Sequence, residues 1–77
     1  MAKTSWKDAT HAVVGASREH GVGTIDLRDN EFEAHQVKRE VRQEPDGWAE
    51  VFEVHDGDLS SEGQETLEIT LDGFFAL

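Results

Sequence analysis

Hydrophobic residues recur at helical spacing near the beginning of the chain. They are Trp6, Ala9, Val13 and Ala16, which lie three or four positions apart. Ser5 with Asp8 three residues later fits a capping box, and Gly21 suits the left-handed residue that ends many helices. The spacing and the two end signals together predict a helix over residues 6 to about 20.

A second helical stripe lies between another pair of end signals. Its members are Ala34, Val37 and Val41. Asn30 and Glu33 form a capping-box pattern, and Pro45 disfavours helical backbone at the residue before it. The pattern predicts a helix over residues 30–44, with acidic side chains on one flank of the apolar stripe and basic side chains on the other.

Three further segments alternate between apolar and polar residues, which is typical of strands. The first is short, covers residues 24–27 and is rich in β-branched residues. The second covers residues 48–55 and follows a turn with the sequence Pro-Asp-Gly. The third covers residues 65–71, where Leu67, Ile69 and Leu71 form one apolar face. A polar loop over residues 56–64 separates the last two strands, so we expect them to pair as a hairpin.

These elements predict a single α+β domain over residues 1–77, in the order α-β-α-β-β. We expect a three-stranded, mostly antiparallel sheet with both helices on one face. The predicted core consists of Trp6, Val13, Ile25, Leu27, Val37, Val41, Phe52, Val54, Leu67, Ile69 and Leu71. Phe74 and Phe75 follow the last strand, and exposed apolar clusters usually mark contacts. We therefore predict that both rings are buried, either within the chain or in a homodimer.

The charge of the chain is strongly acidic and unevenly distributed. There are 17 Asp and Glu residues against 7 Lys and Arg, a net charge of -10, and no Cys. Residues 46–77 carry no Lys or Arg at all. Dense carboxylates keep a surface hydrated when multimolar salt has shortened the screening length to about 3 Å or less. We therefore expect a protein of a salty cytoplasm, without a signal peptide, membrane span or disulfide, and an acidic protein of ordinary salinity is the alternative.

Residue types that serve in catalysis or metal binding are present without the spacing that such sites need. His11 and His20 are nine positions apart on the predicted first helix, which is not the one-turn spacing of paired metal ligands, and both are assigned to the surface. The acidic loop over residues 56–64 has Ser61 where a calcium loop needs glycine. No serine has the setting of a nucleophile. We therefore predict a protein that is not an enzyme, with no catalytic residue, no metal site and no cofactor.

One flank of the second predicted helix remains as a candidate contact surface for a partner. It carries His35, Lys38, Arg39 and Arg42. Neighbouring cationic groups on a helix can bind phosphates or carboxylates. Ion pairing with acids on the same helix surface is the alternative explanation.

The predicted element order resembles that of winged-helix DNA-binding domains. In this resemblance the helix over residues 30–44 stands where the recognition helix would lie, and the loop over residues 56–64 is the tip of the wing. It implies a DNA binder that uses the four residues of the basic flank, but a net charge of -10 opposes approach to a polyanion. We therefore expect a non-enzymatic protein-interaction or self-assembly module, whose partner is an unknown protein or a second copy, with DNA binding as the alternative.

Overall fold

The computed structural model describes residues 4–73, which form four strands and two helices. In chain order these are β1 His11–Ser17, β2 Gly21–Arg28, α1 Glu31–Arg42, β3 Trp48–His55, β4 Asp58–Leu59 and α2 Ser61–Gly73. The expectation of a small α+β fold with two helices and an antiparallel sheet is confirmed. The sheet has four strands rather than three, however, and the order of elements begins with two strands instead of a helix.

The sheet is antiparallel, with the strand order β2-β1-β3-β4. β1 lies in the centre, where Val13 is opposite Asp26 of β2 on one side and opposite Val51 of β3 on the other. β4 is short and pairs only with Val54 and His55 at the end of β3. Within residues 4–73, β2 therefore has a strand neighbour on one side only, and its other edge is open.

The predictions for α1 and β3 are confirmed. Asn30 is the N-cap of α1, and its side-chain oxygen accepts a hydrogen bond from the Glu33 amide at 2.8 Å. The helix ends at Arg42 with Gln43 as its C-cap, two residues before Pro45. The predicted strand over residues 24–27 is also confirmed, as part of the longer β2.

The predicted first helix is wrong, because residues 11–17 form the central strand β1. Only one turn of the expected kind occurs there, in which the Ala9 amide donates to the Ser5 carbonyl at 2.9 Å. The rest of the segment is covered by a helix on each face of the sheet, and every residue from 12 to 17 is buried. A strand buried on both faces needs apolar residues at successive positions, and such a run also supplies the spacing of a helix.

The predicted strand over residues 65–71 is also wrong, because this segment belongs to α2. Ser60 begins the helix, since its hydroxyl oxygen accepts from the Gly63 amide at 3.2 Å and its carbonyl accepts from the Gln64 amide at 2.9 Å. The helix buries Gly63 and Thr70. These residues are small or polar, so hydrophobicity alone did not reveal the buried face.

Two hydrophobic clusters lie on opposite faces of the sheet. The cluster under α1 contains Val13, Ala34 and Ala49, with Val37, Val41 and Val51 packed against it. The cluster on the α2 side contains Ala9, Ala12, Val14, Val54 and Leu59, with Leu27, Phe52 and Leu67 packed against it. The expectation that both helices cover one face is therefore wrong, since the sheet lies between them.

The predicted core is correct for most of its members and wrong for four. Val13 and Val54 are buried, and Leu27, Val37, Val41, Phe52 and Leu67 pack against the buried clusters. Trp6, Ile25, Ile69 and Leu71 are instead among the exposed large hydrophobic residues. Phe74 and Phe75 lie outside the described residues, so their predicted burial stays a prediction. No helix within residues 4–73 has the length and apolar character needed to cross a bilayer.

Candidate functional site

Three of the four members of the basic flank of α1 are paired with acidic side chains of the protein itself. The Lys38 ammonium lies 2.8 Å from Oε1 of Glu50 on β3, and Arg42 Nη2 lies 3.4 Å from the other carboxylate oxygen. Arg42 Nε also donates to the Ala49 carbonyl at 2.9 Å. His35 Nε2 lies 3.6 Å from Glu31 one turn earlier. Of the four predicted contact residues, Lys38 and Arg42 are thus brought together at the carboxylate of Glu50 on β3.

Arg39 has a different environment from the other three members of the basic flank. Arg39 is exposed, and it forms no ion pair within residues 4–73. A single exposed guanidinium supplies one phosphate contact, whereas specific binding of duplex DNA uses several. The element order that carried the resemblance to winged-helix domains is also absent, because β1 and β2 precede α1 in the described chain.

Glu50 is held as a carboxylate by its neighbours. The hydrogen bond from Lys38 is the main cause that lowers the pKa of Glu50 below its ordinary value of 4.5. Partial burial opposes this, while the Val51 amide and the charges of Lys38 and Arg42 add to the lowering. The arrangement ties α1 to β3 and serves the fold, as a surface ion pair of modest strength.

Exposed apolar side chains lie on β2 and on the face of the sheet beside it. Val22 and Ile25 of that strand are 37% and 38% exposed, Trp6 is 38% exposed and Leu71 of α2 is 56% exposed. Trp6 and Ile25 line the same shallow depression, together with Leu59 and Leu67. We call Trp6, Val22, Ile25, Leu71 and the open edge of β2 the β2-edge surface.

Gly23 brings Leu71 to this surface. Its backbone has φ of 65°, and a Cβ atom placed there would lie 2.9 Å from Leu71 Cγ, well inside contact distance. Glycine therefore allows α2 to lie close over β2 at a position where the strand also twists. In consequence Leu71 lies beside the open edge of the sheet.

A groove of about 270 Å³ lies between α1 and β2 on the other face of the sheet. The groove is lined by Val13 and Gly15 of β1, by Asp26 and Arg28 of β2, by Val37, Glu40 and Val41 of α1, and by Glu44 just beyond α1. Arg28 Nε lies 3.0 Å from Asp26 Oδ1, although it is not aligned for a hydrogen bond, and Arg28 Nη2 donates to the other oxygen at 3.3 Å. The groove thus has an apolar floor and charged walls.

His20 and Glu44 meet at one end of this groove. His20 follows β1 in the turn to β2, and its Nδ1 lies 2.7 Å from Glu44 Oε1, just beyond the end of α1. Together with Glu19, one ligand atom from each of the three residues lies within 4.8 Å of the others. Buried Ser17 fixes the turn, because its hydroxyl oxygen accepts from the His20 amide at 3.0 Å.

The acidic loop over residues 56–64, considered above as a calcium site, does not form a comparable group of ligand atoms among the described residues. Among the described residues, the acids of residues 56–62 do not bring three ligand atoms together, whereas Glu19, His20 and Glu44 do. Sequence reasoning treated His20 as a surface residue because it placed His20 on a helix. The partner Glu44 is 24 positions away, so only the folded turn brings the two together.

Comparison with protein-family models, with curated proteins and with solved structures found no match to this chain.

Proposed function

We propose that this protein is a non-enzymatic self-assembly module, in which the open edge of β2 pairs with the same strand of a second copy. The observation that supports this proposal is the β2-edge surface. Within residues 4–73 it includes four of the six exposed large hydrophobic residues, and one edge of β2 has no strand partner. Edge strands present unpaired amide and carbonyl groups, and added strands are a common mode of protein association.

The charge of β2 favours a second copy as the occupant. The strand carries one acid, Asp26, and one base, Arg28, so its own net charge is zero in a chain of net charge -10. Two copies can therefore approach along this strand with less repulsion than along α2, which carries four acids and no base. Burial of Val22, Ile25 and Leu71 would supply the hydrophobic contribution.

We propose that the protein works in a salty cytoplasm, and this proposal is based on the net charge of the chain alone. Screening weakens the long-range repulsion between two acidic copies, while the apolar contacts at the β2-edge surface are retained or strengthened. Association should therefore increase with KCl concentration. The DNA-binding alternative has less support, because Lys38 and Arg42 are already paired with Glu50.

Sedimentation equilibrium over a range of protein concentrations, in dilute and in multimolar KCl, tests the proposal. The wild-type chain should associate, and Ile25→Lys should weaken association by at least about tenfold, because a lysine at a strand edge opposes pairing. Ile69→Lys is the matched control, since Ile69 is 63% exposed on α2 and is not part of the β2-edge surface. A wild-type monomer at all concentrations, or equal loss in both variants, would overturn the proposal.

A further inference from the structure

Two carboxylates and an imidazole converge where the β1–β2 turn meets the end of α1. The residues are Glu19, His20 and Glu44, whose ligand atoms all lie within 4.8 Å of one another. His20 is largely exposed at its ring, while the Glu44 side chain is only 21% exposed. The three groups are therefore accessible to an ion from solvent and held by two different parts of the fold.

The electrostatics of this corner favour a cation. Glu44 lies just beyond the C-terminal end of α1, and the carbonyl end of a helix carries partial negative charge that disfavours a carboxylate. Glu40 lies one turn before Glu44 and lines the same groove. The nearest base in the turn, Arg18, is paired with Asp46 and not with these acids. A bound cation would offset the negative charge of this corner.

We propose that Glu19, His20 and Glu44 form a binding site for a divalent transition-metal ion, with Zn²⁺ as the best match. One imidazole nitrogen and two carboxylate oxygens are typical zinc ligands, with bond lengths of about 2.0–2.2 Å. The three ligand atoms lie within 4.8 Å of one another, so side-chain rotations of Glu19 and His20, both exposed, bring them around one ion. The imidazole selects a transition metal over Ca²⁺ and Mg²⁺, which prefer oxygen ligands only.

The proposal is independent of strand pairing at β2, because none of the three ligands belongs to the β2-edge surface. Calorimetric titration of the full chain with Zn²⁺ alone, in a non-chelating buffer, tests it. We expect one ion per chain, and His20→Ala or Glu44→Gln should weaken binding by at least about tenfold because each removes one of three ligands. Glu44→Gln keeps the size of the side chain, and thermal melts without metal check that each variant is folded.

His55→Ala is the matched control, because His55 Nε2 lies 3.0 Å from Glu53 in an exposed pair of the same kind. This variant should bind Zn²⁺ within about twofold of the wild type, since a lone His–Glu pair lacks the third ligand. Excess Ca²⁺ should not displace the zinc. No heat of binding, equal weakening by His55→Ala, unchanged binding by His20→Ala, or displacement by Ca²⁺ would each overturn the site.

Discussion

The ammonium nitrogen of Lys38 lies 2.8 Å from Oε1 of Glu50, and this pair fixes α1 to the edge of β3. Beside Glu50 the outer edge of β3 has no strand partner within the described chain, because β4 pairs only with Val54 and His55. Arg42 adds a hydrogen bond to the Ala49 carbonyl. The basic flank of α1 therefore protects one edge of the sheet, while the opposite edge, at β2, stays open.

The Lys38–Glu50 pair predicts a specific pH dependence of stability. The pKa of Glu50 is lowered in the folded state, so the pair stabilises the fold above the ordinary value of 4.5 and is lost as pH falls through the lowered pKa. Glu50→Gln should lower the free energy of unfolding by about 0.5–1 kcal/mol at neutral pH, the range of surface ion pairs. Urea unfolding between neutral and acidic pH measures this.

The matched control for this prediction is Glu53→Gln, which removes a carboxylate from the same strand. Glu53 is paired only with exposed His55, so its loss should change stability less than the loss of Glu50. The difference between wild type and Glu50→Gln should disappear at acidic pH, where both carry a neutral side chain. A difference that persists unchanged into acid would contradict the account.

Gly23 and Gly21 offer a second test, of the contact between β2 and α2. Both have positive φ, of 65° and 86°, but only Gly23 has Leu71 within reach of an added Cβ atom. Gly21→Ala should destabilise the fold by about 1–2 kcal/mol through backbone strain alone. Gly23→Ala should cost more than that, because Leu71 must also move.

A double-mutant cycle with Leu71→Ala separates backbone strain from the contact with Leu71. In the Leu71→Ala background, the loss of stability caused by Gly23→Ala should fall to that caused by Gly21→Ala. Chemical unfolding of the four variants and the wild type provides the numbers. Equal costs for the two glycine replacements in the wild-type background would contradict a contact between Leu71 and Gly23 that contributes to stability.

The excess of acids predicts that salt stabilises the fold. Residues 46–77 carry no Lys or Arg, so their carboxylates repel one another in dilute buffer and screening relieves this repulsion. The melting temperature should rise by more than about 5 °C from dilute to multimolar KCl, which corresponds to about 1 kcal/mol in a domain of this size. Thermal melts by circular dichroism measure the rise.

The control for salt dependence uses three exposed acids of α2, Glu62, Glu65 and Glu68. Replacing all three by Gln should reduce the rise in melting temperature with KCl, because fewer like charges remain to be screened. A flat or falling melting temperature in the wild type would remove the support for a salty cytoplasm.

The parts of the fold that sequence reasoning predicted correctly are those with local signals at both ends. α1 has the Asn30 cap and Pro45, and β3 has a turn before it and a two-residue period. The segment over residues 11–17 has the run Ala-Val-Val-Gly-Ala, which suits a strand buried on both faces as well as a helix. Its identity is decided by β2, β3 and the helix on each face, which are contacts that no local pattern contains.

The candidate sites were less predictable than the fold, for a similar reason. His20 and Glu44 carry no shared motif and meet only because the β1–β2 turn lies at the end of α1. The open edge of β2 follows from strand order, which the sequence pattern did not define. The basic flank was recognisable as a stripe on α1, but its partner Glu50 is on β3, where alternation gave no hint of a salt bridge.

Amide hydrogen exchange of β2, measured by NMR at low and high protein concentration in multimolar KCl, tests the self-assembly proposal most directly. In a single copy the amides of β2 that point away from β1 have no strand partner among residues 4–73, so they should exchange fast and become protected as concentration rises. The amides of central β1 are paired on both sides and serve as the internal control. Protection that appears in β2 with increasing concentration, and that Ile25→Lys abolishes, is the predicted result; β2 amides that exchange equally fast at every concentration would contradict it.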